Sequence, residues 1–191
     1  MAATLLPGNP LLHTSGSYVY LKNYQAGQLF PRQIYYYRTW TDEMSDVICQ
    51  YSDEMKEICD RLPVDLSEVQ TIQEYYESPT PEKLTEKFHG IPSYYPLTLP
   101  MIKEDGGYRP DFSSRFYTED MPFGVCIIKA LGLLAGVKTP TIDTILEWYF
   151  KMTGKQYFEP DGSFGKDVNE TAIPQLFGIS DGETLKNFYM R

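Results

Sequence analysis

The chain is 191 residues long, 42% hydrophobic and 23% charged, the make-up of one globular domain with its own core, which excludes disordered and fibrous classes. Seventeen basic against 26 acidic residues leave a net charge of −9, so the surface repels phosphate backbones and anionic lipid, and nucleic acid is excluded as the expected partner. Three cysteines, Cys49, Cys59 and Cys126, include no CxxC; they read as small buried apolar residues in a reducing compartment.

Leu5 to Asn23 opens on Pro7-Gly8-Asn9-Pro10, a turn that feeds a helix with His13 near its start. Met1 to Leu12 has neither a basic start nor a sustained apolar stretch, so it does not read as a secretory signal. The most apolar run, Val125 to Val137, carries Lys129 and is too short to span a bilayer. The expected location is the cytoplasm, with no membrane association.

Thr41 to Leu62 repeats apolar residues at helical spacing from Met44 to Leu62, with Thr41 as N-cap, Asp42 and Glu43 at the positive end of the dipole and Pro63 as the stop. Ser67 to Tyr76 predicts a shorter helix with Ser67 and Gln70 as a capping box. Thr80-Pro81 starts another that Gly90 ends. Ile91 to Pro110 holds four prolines and a Gly-Gly pair, and predicts an irregular connection. Two helices follow, Pro122 to Gly136 and Thr139-Pro140 to Gly154, antiparallel across a short turn. In the second, Ile142, Ile145, Leu146, Tyr149 and Phe150 form an inner stripe, with Asp143, Glu147 and Lys151 on an outer row. A last helix spans Asp181 to Tyr189.

Chemistry has few candidates. His13 and His89 are the two histidines. His89 lies in the last turn before Gly90 and reads as a solvated helix end. His13 precedes Thr14-Ser15-Gly16-Ser17, small residues that let a ligand or another backbone come close; on its own it reads as a structural histidine as readily as a catalyst. Arg115 has the planar fork that grips a carboxylate. Asp120, before Pro122, reads either as an N-cap or first-turn acid or as a working carboxylate, and the first reading also covers Glu119. There is no Gly-rich phosphate loop and no His-Cys metal spacing, so no metal is expected.

Arg115 to Gly124, RFYTEDMPFG, followed by Ala130-Leu131-Gly132-Leu133-Leu134-Ala135-Gly136-Val137 and Thr139-Pro140-Thr141-Ile142-Asp143, resembles the signature of the opine (octopine/nopaline) dehydrogenase family. That pattern runs approximately R-[YF]-x-T-E-D-[VM]-P-[YF]-G, then L-x-x-L-A-G-V-x-T-P-T-I-D. Gly8-Asn9-Pro10-Leu11-Leu12-His13-Thr14 is similar to the family's N-P-x-x-H-[PT] entry into its helical domain, and the likeness extends loosely through Gly178-Ile179.

The resemblance implies one all-α domain over residues 1–191, a compact helical unit like the C-terminal domain of opine dehydrogenases, of the 6-phosphogluconate dehydrogenase C-terminal type. It implies the substrate-binding, catalytic part of an oxidoreductase that condenses an α-keto acid with the amino group of an amino acid. His13 becomes the general acid/base, Asp120 the carboxylate that orients and charges its imidazole, and Arg115 the anchor for the keto acid's carboxylate. NAD or NADP would be held mainly by a Rossmann domain with a GxGxxG turn, which this sequence does not contain. That domain would act in cis or in trans, and the chain alone is expected to be inactive and to bind NADH weakly. The Tyr-rich stretch Ile34 to Trp40 and the loop Ile91 to Gly107 depart from the family, where the amino acid is expected to be selected. The alternative is a non-catalytic helical interaction or dimerisation module, for instance a homodimer, that retains the fold.

Overall fold

The computed structural model describes Leu5 and residues 8–189. It is mostly helical: α1 (Asn9–Leu21), α2 (Asp42–Arg61), α3 (Ile72–Tyr75), α4 (Pro81–His89), the hairpin β1 (Met101–Glu104) and β2 (Gly107–Pro110), α5 (Arg115–Thr118), a π turn (Met121–Val125), α6 (Cys126–Ala135), α7 (Pro140–Thr153) and α8 (Gly182–Tyr189). Single 3-10 turns occupy Pro92–Tyr94, Val168–Glu170 and Pro174–Phe177. No described helix is long and apolar enough to cross a membrane.

Helix α2 is the axle. It starts where Thr41 accepts the amide of Met44, and its face of Met44, Ile48, Tyr51, Met55, Ile58 and Cys59 is buried. Against that face pack α1, α4, α6 and α7. A 20-residue helix spans about 30 Å, enough to give four neighbours a common wall. The inner stripe of α7 is buried as the spacing predicts, except that Trp148 joins Ile142, Ile145, Leu146 and Tyr149 while Phe150 is only half-buried. Gly136 and Gly154, at φ +63° and +74°, end α6 and α7 in the left-handed conformation that glycine adopts without penalty.

The N-terminus of α7 is capped from α2, not by its own flank. The Glu54 carboxylate accepts the amides of Thr141 at 2.6 Å and Ile142 at 3.1 Å, two of the orphan donors of a helix start. Burial outweighs those bonds and raises the Glu54 pKa above the usual glutamate value. A raised folded-state pKa means that the folded chain holds the proton more tightly than the unfolded chain. The Glu54 contribution therefore favours folding at low pH and declines as pH rises from the ordinary glutamate pKa through the folded one. Glu54→Gln should flatten that part of the stability curve. Urea titrations at a series of acidic pH values check it, and parallel curves for parent and variant would refute it.

Three local expectations need correction. Ser67 does not open a capping box with Gln70, because its hydroxyl and amide are both taken by Asp65 in an Asx turn. The box is Thr71 with Glu74, and the helix it starts is the single turn α3. The stretch Ile91 to Pro110 is not wholly irregular: Asp105-Gly106 turns a hairpin in which Met101 faces Pro110 and Glu104 faces Gly107. Phe30 pairs with Tyr108 through two backbone bonds beside it, and a Cβ on Gly107 would come to 2.5 Å from the Phe30 carbonyl oxygen. Pro122 does not begin an α-helix, since the first five residues from Met121 form the π turn.

The cysteines are buried and free, as read from the sequence. Burial pushes the Cys59 thiol up to about 11, which keeps it protonated and unreactive. His89 stands exposed at the end of α4, and its Nε2–H donates to the Trp40 carbonyl at 3.0 Å.

Candidate active site

Helix α1 carries His13, and what lies under α1 fixes where that side chain can be. Thr14, Ser15, Gly16 and Ser17 are all buried, so this small-residue stretch admits neither a ligand nor a neighbouring backbone. It admits aromatic rings: a Cβ on Gly16 would lie 2.6 Å from Cζ3 of Trp40 and closer still to the Tyr36 hydroxyl oxygen. Tyr36 is fully buried, and its hydroxyl is shared between the carbonyls of Leu12 at 3.0 Å and His13 at 2.7 Å. Burial raises its pKa well above the ordinary tyrosine value, so the hydroxyl stays a donor.

A second close approach sets the other wall. A Cβ on Gly124 would come to 2.5 Å from Pro10 Cγ, so the π turn lies directly on the first turn of α1. This brings Asp120 to His13 across 107 positions of sequence: His13 Nδ1 and Asp120 Oδ2 are 2.8 Å apart, with side chains 15% and 13% exposed. A carboxylate oxygen accepts, so Nδ1–H donates and the lone pair of the neutral ring sits on Nε2. Among the described residues Nε2 has no hydrogen-bond partner. The arrangement can accept a proton at Nε2 and give it back, with the carboxylate balancing the imidazolium. Asp120 makes no helix-cap bond, so the capping alternative does not describe it.

Arg115 is placed otherwise. It starts α5 beside this segment, but its guanidinium makes a two-pronged pair with Glu119 on the same face, Nη2 to Oε1 at 2.8 Å and Nε to Oε2, and the side chain is 83% exposed. The pair holds the Arg115 pKa up and the Glu119 pKa down. Of the three residues singled out in the sequence, the structure joins His13 and Asp120 and leaves Arg115 engaged with Glu119.

Sequence reasoning missed the ring that covers the face of the imidazole. The Phe116 ring stacks on His13 with centroids 3.6 Å apart and planes 8° from parallel. Its only advance signal is its place between Arg115 and Asp120. Also unanticipated is Lys129, buried on α6 and tied to Thr139 Oγ1 at 2.9 Å and Asp143 at 2.6 Å, which joins α6 to the start of α7.

The model of the NAD/NADP octopine/nopaline dehydrogenase alpha-helical domain matches residues 1–153. The chain belongs to this family. Tauropine dehydrogenase of Arabella iricolor is 29% identical over 97% of this chain and 49% of its own length, and octopine dehydrogenase of Pecten maximus is 30% identical over 81% and 41%. Among solved structures, octopine dehydrogenase with NADH and pyruvate superposes with a TM-score of 0.82 at 28% identity, over 93% of this chain and 45% of that one. The same enzyme with NADH and L-arginine gives 0.80, again over 93% and 46%. The chain thus spans about half the length of the opine dehydrogenase relatives it matches. The helical fold expected of the family is the fold observed.

Proposed function

We propose that this domain is the substrate-binding and proton-transfer part of an opine dehydrogenase, which condenses an α-keto acid with the amino group of an amino acid and reduces the product. The observation that carries this reading is the 2.8 Å bond that fixes His13 Nδ1 on Asp120 and leaves Nε2 unpartnered among the described residues. As the amine adds to the carbonyl carbon, a proton must leave nitrogen and another must reach the departing oxygen so that water is lost. His13 Nε2 serves both needs: it takes the first proton as base and returns one to oxygen as acid, while Asp120 stabilises the charged ring in between.

The reduction would take its hydride chemistry from a nicotinamide. The sheet among the described residues is a two-stranded antiparallel hairpin, without the strand and glycine-rich turn that cradle a pyrophosphate, so these residues do not fit the dinucleotide. We assign that role to a Rossmann domain, in cis or in trans. Arg115 anchors the keto acid by exchanging Glu119 for the substrate carboxylate. So exposed an ion pair is weakly held in water, which makes the exchange cheap.

The test is NADH oxidation by this domain together with a nucleotide-binding domain, with pyruvate and a panel of amino acids. Oxidation that requires both substrates supports the reading; oxidation with keto acid alone or none in any combination contradicts it. Asp120→Asn should lower kcat roughly 100-fold by removing the charge opposite the imidazolium. Arg115→Lys should raise the keto-acid KM roughly tenfold with little change in kcat, through loss of the bidentate fork.

A further inference from the structure

We propose that Phe116 is a positioning residue that, with Asp120, clamps the His13 imidazole by face and edge and so fixes the direction in which Nε2 points. The proposal rests on His13 being the acid/base. A single bond to Nδ1 defines one edge of the ring but tolerates a wide range of tilt about the bond, because hydrogen-bond energy varies slowly near linearity. The missing restraint is one against the ring face. Phe116 supplies it at 3.6 Å and 8°, closer and flatter than any other ring pair of the site.

Both restraints come from one stretch of chain. Phe116 lies on α5 and Asp120 four residues later at the start of the π turn, so the same segment presents a ring face and a carboxylate to the same imidazole. Phe116 is itself braced. The Tyr36 ring meets it edge-on at 5.7 Å and 81°, and meets His13 edge-on at 6.4 Å and 80°. Since the Tyr36 hydroxyl holds the His13 carbonyl, one buried tyrosine references the backbone of His13, its ring and the ring stacked on it. The contact also has an electrostatic side, as the negative face of a phenyl ring attracts an imidazolium that forms against it. A ring that only filled space would need none of this alignment.

The experiment uses nitrogen-detected spectra of the His13 ring in this chain. The parent should show one tautomer with a proton on Nδ1 that exchanges slowly with water. Phe116→Leu, which keeps bulk and loses the flat face, should speed that exchange at least about tenfold and draw the two ring-nitrogen shifts together, while Phe116→Tyr restores the parent values. Phe116→Met provides a second variant should the leucine protein melt early. In the enzyme with its nucleotide-binding domain, Phe116→Leu should lower kcat about tenfold with KM for the keto acid within about twofold, since misdirection affects the proton transfer and not the anchor. Unchanged ring exchange in folded leucine and methionine variants overturns the proposal, as does a rise in KM at constant kcat. A His13→Ala enzyme that kept its turnover would count against the catalytic reading and leave the ring spectra as evidence on the clamp.

Discussion

Replacing His13 by alanine, in an enzyme that carries this domain with its nucleotide-binding partner, should lower kcat by about 10²–10⁴-fold, the usual worth of a placed acid/base. The chain has two histidines, and the other, His89, spends its Nε2 on the Trp40 carbonyl at the end of α4. No neighbouring imidazole is therefore in place to take over the transfer. Substrate binding should change little, because the removed ring contacts Phe116 and Asp120 within the protein, so the loss should sit in kcat and not in KM. Single-turnover mixing of enzyme, NADH, keto acid and amino acid separates the two quantities. A rate within threefold of the parent would remove His13 from the reaction.

Gly16→Val should damage the scaffold severely. The added carbons would enter space already held by the Tyr36 hydroxyl and the Trp40 ring, both in the core. Tyr36 is pinned through the carbonyls of Leu12 and His13, and Trp40 through its indole N–H to Ser45 at 2.9 Å, so neither ring can swing aside without breaking a buried bond. Overpacking of this kind costs about 2–3 kcal/mol, and for a domain of this size each kcal/mol lowers the melting temperature by roughly 2–4 °C. Calorimetry should therefore show a fall of roughly 4–12 °C. A melting temperature within 2 °C of the parent would mean that Tyr36 gives way, and the His13 carbonyl with it.

The long helices were legible because their signals are local. Thr41, Thr80, Pro140, Gly136 and Gly154 each act on backbone within a turn of themselves, and the structure puts helix ends at every one. The hairpin at Asp105-Gly106 was not, although its Asp-Gly turn is a local signal, because the prolines on both sides imitate a loop. In the site, Asp120 and His13 were found through family likeness and not through physics: a carboxylate before a proline reads equally well as a cap, and only the glycine at 124 against Pro10 brings it to α1. Phe116 escaped notice because stacking leaves no trace in composition or periodicity. Arg115 was read for its chemistry without regard to Glu119, four residues on and one helical turn away.

The π turn between Asp120 and α6 works as a phase shifter. In it the Cys126 amide bonds to the Met121 carbonyl, five residues back where an α-helix would use four. One surplus residue retards the helix by about 100°, so the side chains before the turn are set to a different compass bearing from those after it. The apolar face of α6 must point at α2, and Asp120 must point at α1; a uniform helix through Glu119 to Ala135 would satisfy one demand by sacrificing the other. Excising the half-exposed Phe123 would restore α spacing, keep α6 seated and swing Asp120 away from the imidazole. The turn also carries Met121 and Val125 into the core, so its length sets the bearing of Asp120 and the seating of these two side chains together.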